Sequence, residues 1–322
     1  MSRDVHIHAV VIGRNEGSRL IDCLDALAGQ ADQVIYVDSG STDGSQAAAR
    51  ARGAQVVELD MSKPFTAARA RNTGMALAVK SETPPRYIQF LDGDCALQPG
   101  WIETAFSFLE AHPEAAVACG RRRERFPEAT IYNRMIDAEW DTPVGRALAC
   151  GGDALMRTQA LRAVEGYNPD LIAGEEPEMC LRLRHAGWQI WRLDAEMTLH
   201  DANITRFSQW WQRARRAGYT YAEGVAMHGS APDHHKRAEL LRTVLWGIGM
   251  PLLHLAGLII SPWLLGTLLV WPLQVLRLRL RGMDWPQAIF LTLGKLPEAQ
   301  GVLTYLWRRL GRRQSRIIEY KR

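Results

Sequence analysis

The chain has 322 residues, of which 47% are hydrophobic and 23% charged, and a formal net charge of +4. That balance excludes a disordered polypeptide, and the length allows one α/β catalytic domain with about a hundred residues to spare. Five cysteines (Cys23, Cys95, Cys119, Cys150 and Cys180) form no CxxC pair, which excludes a zinc-ribbon pattern and a disulfide framework and points to a reducing compartment.

The opening MSRDVHIHAVVIGRNE carries an apolar stretch too short for a signal-peptide core, so the catalytic part is expected not to be secreted. From there to about residue 120, short β-branched runs alternate with helical patterns. HAVVIG, QVIYVD and AQVVEL read as strands, separated by helices near 19–28 and 44–52. This βαβαβ order predicts a parallel, Rossmann-like sheet with helices on both faces. YIQFLDGDC reads as a further strand, GWIETAFSFLEAH as an amphipathic helix and AAVACG as the next strand. In open α/β sheets ligands bind beyond the carboxyl ends of the strands, and both VIYVD and IQFLDGD end there in acids. Residues 121–205 mix polar and apolar segments, with helices expected at 158–164 and 179–186. They are taken as the second half of the same domain.

The boundary drawn from composition separates a domain at 1–235, with halves at about 1–120 and 121–235, from a hydrophobic, basic helical region at 236–322. Residues 243–276 contain no Asp, Glu, Lys or Arg. One helix of that length would reach about 50 Å, against a hydrocarbon core of about 30 Å. Ser261-Pro262 offers a break near the middle. The flanking Lys236, Arg237 and Arg242, and Arg277, Arg279 and Arg281, suit a hairpin returning to the cytoplasmic side. The alternative is a helical pair buried in a homo-oligomer. Residues 285–307 have the composition of interfacial helices. Arg308, Arg309, Arg312, Arg313 and Arg316 then form a basic tail. These arginines adjoin apolar runs rather than a nucleic-acid module, so membrane lipid, and no nucleic acid, is the expected partner.

The strongest chemical signal is Asp92-Gly93-Asp94. Alternate residues of an extended segment point the same way, and the intervening glycine lets a ligand approach the backbone. Paired carboxylates of this kind can hold Mg²⁺ or Mn²⁺ against a diphosphate.

The pieces VVIGRNEGSRL (10–20), VDSGSTDGS (37–45), ARARNTG (68–74), FLDGDC (90–95) and GEEPEMCLRLRHAGW (174–188) together resemble the successive motifs of family 2 glycosyltransferases, over roughly residues 7–225. The resemblance implies a GT-A (nucleotide-diphospho-sugar transferase) fold, an inverting mechanism and a membrane-associated enzyme of bacterial type. It implies that Glu16, Asp38, Ser39, Arg71 and Asp92 meet the nucleotide, and that Asp94, supported by Asp92, holds Mg²⁺ or Mn²⁺. Asp38 also suits a turn residue before Gly40. Glu176 matches the catalytic base, although the family more often has Asp there, and Glu175 is the alternative base; both also suit the acidic start of a helix. Gly151 and Gly152 match the region shaping the acceptor site. His200, Arg213 and Arg216 match a segment that closes over the diphosphate, while Trp210 and its basic neighbours equally fit a helix at a lipid interface.

The expected activity is sugar transfer from a nucleotide-sugar donor to a saccharide or polyprenyl-linked acceptor in cell-envelope or exopolysaccharide synthesis, at the cytoplasmic face of the inner membrane. A sugar nucleotidyltransferase would show a Gly-rich, basic loop after its first strand, and Gly13-Arg14-Asn15-Glu16 is not one. A non-catalytic nucleotide-sugar-binding scaffold is the remaining rival.

Overall fold

The computed structural model describes residues 6–230, 232–311 and 318. It separates them into two compact units: one holding Ile136–Asn203 with the described residues up to Ala129, the other holding Thr130–Met135 with those from Ile204 onward.

The first unit begins with the expected alternation: β1 (Ile7–Gly13), α1 (Ser18–Leu27), β2 (Gln33–Asp38), α2 (Ser45–Ala51), β3 (Gln55–Glu58), α3 (Ala67–Val79) and β4 (Tyr87–Asp92). Strands β1, β2, β3 and β4 pair in parallel in the order β3-β2-β1-β4. Ile7, Ala9, Val10 and Val11 of β1 are fully buried, as a central parallel strand covered on both faces requires. Helix α3 lies close on this sheet because Gly74 has no side chain; an added Cβ would collide with Val10. Thr66 caps α3, accepting from the Arg69 amide at 3.1 Å.

The chain continues through β5 (Cys95–Leu97), α4 (Trp101–Ala111), β6 (Ala115–Glu124), α5 (Ile131–Trp140), β7 (Gly145–Arg146), β8 (Ala154–Arg157), α6 (Thr158–Ala163), α7 (Glu175–His185) and β9 (Gln189–His200). The sheet extends from β4 through β8, β6, β9 and β5, with β7 also on β9. Strands β4 and β6 both run antiparallel to β8, whereas β6 and β9 are parallel and carry register shifts.

One expectation changes here. YIQFLDGDC is two strands, because Gly93 and Asp94 form a turn between β4 and β5. Gly93 donates its amide to the Ile12 carbonyl at 2.8 Å, and β5 turns to pair antiparallel with β9. Asp92 and Asp94 are therefore aimed by a turn and not by the pleat of one strand.

The second unit contains α8 (Phe207–His228), α9 (Arg237–Val244), α10 (Met250–Ile259), α11 (Val270–Leu280), α12 (Trp285–Leu293) and α13 (Lys295–Leu310), with a π-helical turn at Leu245–Gly249 and a 3₁₀ helix at Pro262–Leu269. Composition placed the boundary at 235/236, but the compact units divide at Asn203/Ile204. The reason lies in α8, which packs on α13 with glycines at the crossing: a Cβ on Gly218 would strike the Glu298 carbonyl, and one on Gly301 the Arg215 carbonyl. Trp211 and Arg215 add hydrogen bonds to Gln300 (2.9 Å) and Thr304 (3.2 Å). A buried cluster ties α9 to α13, with the Thr243 hydroxyl and the Lys295 ammonium both donating to Glu298 at 2.6 Å.

The apolar stretch does break near Ser261. Arg237–Ile259 and Trp263–Leu280 are each long and apolar enough to cross a membrane, and only 11% and 6% of an apolar 18-residue stretch in each is buried. Ile259 and Ile260 are each 77% exposed and Trp263 is 92% exposed. Of the basic tail, Arg312, Arg313 and Arg316 lie outside the described residues.

Candidate active site

Strand order reverses between β1 and β4, and the site forms beyond the carboxyl ends of these strands, where an open α/β sheet leaves a crevice. The β1–α1 loop carries Glu16. Its side chain packs beside the Asp92–Asp94 turn, so that a Cβ on Gly93 would lie 3.3 Å from Glu16 Cγ. Glu16 also pairs with Arg19 at 2.7 Å.

Asp38, at the end of β2, is wholly buried. One of its oxygens accepts from the Gly40 and Ser41 amides and Gln46 Nε2 (3.0, 2.8 and 2.8 Å), and the other from the Tyr36 hydroxyl (3.0 Å). The carboxylate thus organises the 39–46 loop, the turn role its place before Gly40 allows. Ser39 is buried, and its amide donates to the Gly13 carbonyl at 3.0 Å, joining the β1 and β2 ends.

Arg71 is the hub of the site. It is 3% exposed, and its two terminal nitrogens donate separately, at 2.6 Å each, to Asp92 and Glu175. A planar guanidinium with a fixed fork is suited to this bridge. Next to it, Asn72 exchanges hydrogen bonds with the Tyr167 backbone (2.6 and 2.9 Å), and the Tyr167 ring lies under the Arg71 guanidinium. The motif ARARNTG therefore pins both the sheet end and the loop before α7.

Helix α7 starts after Gly174, whose φ of 75° places it in the left-handed region. Glu175, Glu176 and Glu178 occupy its first turn, where the helix dipole favours negative charge. The two glutamates taken from sequence as base candidates differ sharply. Glu175 is buried and engaged by Arg71. Glu176 is half-buried, and desolvation, with the Glu175 charge adding to it and Arg71 opposing, pushes its carboxyl up to about 7. A carboxylate of that kind can accept a proton near neutrality.

Asp94 is 5% exposed, with Oδ2 3.1 Å from His200 Nε2 at the end of β9. His200 thus stands beside Asp94. Asp94, Cys95 and His200 bring one ligand atom each within 4.8 Å of one another, as do Asp92, Cys95 and Asp153. The donor set fits a divalent cation: neighbouring ligand atoms at about 2.1 Å from an octahedral ion stand about 3 Å apart, close to the Asp94–His200 separation. Burial raises the Cys95 thiol well above its usual range, and the Asp153 charge adds to this. Of these groups the carboxylate and the imidazole suit Mg²⁺ or Mn²⁺, whereas a thiol is a softer ligand.

Gly151 has φ of 83°, and Gly152 passes directly over the acid–arginine pair. A Cβ on Gly152 would sit 2.7 Å from Asp92 Oδ2 and 2.9 Å from Arg71 Nη2. The side on which a Gly152 Cβ would project is occupied by the protein's own Asp92 and Arg71. Arg213 and Arg216 lie in the second unit, partly buried on α8.

Two site residues escaped the sequence reading. Asp153 is wholly buried and accepts from Arg122 (3.0 and 2.5 Å), Thr198 (3.0 Å) and the Asp92 amide (3.1 Å). Burial is the largest influence and opposes its charge, yet Arg122, His200 and the Asp92 amide together hold the carboxyl below its usual value. Arg122 lies in the run GRRRE, where strand alternation turns Arg121 and Arg123 toward the exposed Asp141, Asp194 and Glu196 and Arg122 inward. Three consecutive arginines carry no period in residue type, so only the strand geometry separates Arg122 from its neighbours.

Residues 9–163 match the family model described as glycosyl transferase family 2. The chain is 26% identical over 281 residues to the pre-mycofactocin glycosyltransferase of Mycobacterium tuberculosis, covering 80% of this chain and 56% of that protein. It is 26% identical over 193 residues to the succinoglycan biosynthesis protein ExoA of Rhizobium meliloti, covering 56% and 57%. The chain spans about half the length of the curated relatives it matches. Among solved structures it is similar to a mannosyltransferase from Pyrobaculum calidifontis determined with GDP-Man and Mn²⁺, at a TM-score of 0.63 and 17% identity, covering 96% and 89% of the two chains. It is also similar to glucosyl-3-phosphoglycerate synthase from Mycobacterium tuberculosis with phosphoglyceric acid, at 0.52 and 17%, covering 69% and 80%. At such identity these structures establish the shared GT-A fold. This fold and the match running from β1 to α6 through the Arg71–Asp92–Asp94 site make residues 9–163 similar to glycosyl transferase family 2.

Proposed function

We propose that this protein is an inverting, metal-dependent glycosyltransferase that moves a sugar from a nucleoside diphosphate donor to a hydroxyl of a saccharide or polyprenyl-linked acceptor. The observation that carries the reading is the contrast within the two acid pairs. Arg71 neutralises Asp92 and Glu175, leaving Asp94 beside His200, and Glu176 with its carboxyl near 7.

Glu176 accepts the proton of the acceptor hydroxyl as its oxygen attacks the anomeric carbon. The diphosphate departs from the opposite face of the sugar, so a single displacement inverts the configuration. Glu175, held to Arg71, orients the start of α7 and does not compete for that proton. Asp94 and His200 would hold Mg²⁺ or Mn²⁺, which, when bound, neutralises charge on the diphosphate. Glu16 and the 39–46 loop, with Ser39 and Asp38 shaping it, line the nucleotide side. The mannosyltransferase with GDP-Man and Mn²⁺ supports a donor and cation of these classes.

The same reading places the enzyme on the cytoplasmic face of a membrane. Its support is the exposed, charge-free stretch flanked by Lys236, Arg237 and Arg242 and by Arg277, Arg279 and Arg281. Recovery of the protein in the soluble fraction without detergent would overturn that placement.

The catalytic reading is tested with a panel of nucleotide-sugars and Mn²⁺ or Mg²⁺, comparing wild type with Asp94→Ala and Glu176→Gln. One donor is expected to bind only with the cation, to be lost in Asp94→Ala, and to bind without turnover in Glu176→Gln. Failure of every donor to bind would leave only a non-catalytic protein on this fold.

A further inference from the structure

A histidine that ligates a metal ordinarily donates its second ring N–H to a carboxylate or carbonyl, which fixes the ring. His200 departs from that pattern. Nε2 faces Asp94 at 3.1 Å, while Nδ1 is buried and has no hydrogen-bond partner among the described residues. Rotation about the bond to an imidazole is soft, so a hydrogen bond at one nitrogen alone leaves the ring loosely held.

What contacts the ring instead is Trp140, the last residue of α5. Its indole lies 4.6 Å from the His200 ring, centroid to centroid, with the planes tilted by 39°. The indole is anchored in turn by the Arg122 guanidinium, 5.2 Å from its centroid. Arg122 is fixed to the wholly buried Asp153 by two hydrogen bonds, and Asp153 accepts the Asp92 amide. A continuous path therefore runs from the Asp92 backbone through Asp153, Arg122 and Trp140 to the His200 ring, all within the first unit.

We propose that Trp140 is the positioning residue for the cation site: its aromatic face, braced by Arg122, supplies the ring orientation that a hydrogen bond at Nδ1 would otherwise provide. The inference rests on Asp94 and His200 holding the cation, as proposed above. It assigns a role to a residue outside every motif that marks the family in this sequence.

The test is Mn²⁺ affinity, read from the signal of free Mn²⁺ in electron paramagnetic resonance titrations without donor or acceptor. Trp140→Ala is expected to weaken binding by about tenfold or more, the usual scale for loss of a metal ligand's supporting contact, and Trp140→Phe to remain within about threefold of wild type. Trp140→Leu keeps apolar bulk without an aromatic face, and it carries the test if the alanine variant does not fold; it too should weaken binding. If His200→Ala loses Mn²⁺ while the alanine or leucine variant binds like wild type, the role of Trp140 is overturned and the cation site stands. If His200→Ala itself binds like wild type, the cation site falls, and the role of Trp140 with it.

Discussion

The turn at Asp92–Asp94 and the start of α7 at Glu175–Glu176 are alike in sequence, two closely spaced acids each, and unlike in structure. In each pair one carboxylate is bound to Arg71 at 2.6 Å. Its neighbour is left to a different environment: Asp94 beside a histidine, Glu176 partly exposed with its carboxyl pushed up to about 7. A single buried arginine thus divides four acids into two that position and two with chemistry available. Adjacent carboxylates are assigned roles by what else they touch, and not by their order in a motif.

The most severe way to break this comparison is Arg71→Met. It leaves Glu175 without its counter-charge and Asp92 with only Arg122, 3.6 Å away, and removing one member of a buried ion pair costs about 3–5 kcal/mol. Urea denaturation should show that loss, together with loss of donor binding. A variant as stable as wild type would mean that the two acids find other partners and that Arg71 does not divide the pairs.

The second pair is sharpened by comparing Glu176→Gln with Glu175→Gln. The first is expected to lower kcat by about 10²–10⁴-fold with little change in donor affinity, the scale of a lost general base. The second should lose less activity and more stability, because it leaves Arg71 short of a partner. In wild type, kcat/KM should rise with pH through about 7, since the base must be ionised and its carboxyl is held there. Equal kcat losses in the two variants would remove the distinction between base and orienting residue.

For the first pair, Asp94→Ala is expected to weaken Mn²⁺ binding by more than the roughly 10–100-fold typical of losing a ligand's supporting contact, and Asp92→Asn by much less. Isothermal titration with Mn²⁺ distinguishes them. Loss of Mn²⁺ in Asp92→Asn alone would move the cation to the Arg71 side of the turn.

Much of the fold was legible because its signal is local. The runs HAVVIG, QVIYVD and YIQFL are buried on both faces, and central parallel strands have no other way to be written. The order of the motifs likewise placed Asp38, Arg71, Asp92, Asp94 and Glu176 at one end of the sheet. What the sequence did not disclose depends on long-range pairing. Arg71 meets Glu175 across 104 residues and Asp153 meets Arg122 across 31, and no periodicity reports such contacts. The turn at Gly93 was hidden because an apolar strand on either side of it reads as one. The early boundary at Asn203/Ile204 was hidden because α8 is amphipathic, and only its close crossing with α13 at Gly218 and Gly301 assigns it to the second unit.

The smallest effect concerns stability, and it isolates the electrostatic half of the comparison from catalysis. The Glu176 carboxyl is raised from an ordinary 4.5 to about 7 in the folded chain. Between those values the native state retains a proton that the unfolded chain has released, so native stability falls as pH rises through this window. Glu176→Gln cannot ionise and escapes that loss. Melting curves of the two proteins, measured without donor or cation, should nearly coincide below pH 4.5. They should separate progressively between pH 4.5 and 7, and reach a constant difference above it. With the glutamine variant the more stable at pH 8, a gain of roughly 2–4 °C corresponds to each kcal/mol at this size. Glu175→Gln should show no such gain, because its carboxylate is compensated by Arg71. Parallel melting of wild type and Glu176→Gln at every pH would mean that Glu176 is as well solvated as an ordinary surface acid, and that burial does not prepare it to accept a proton.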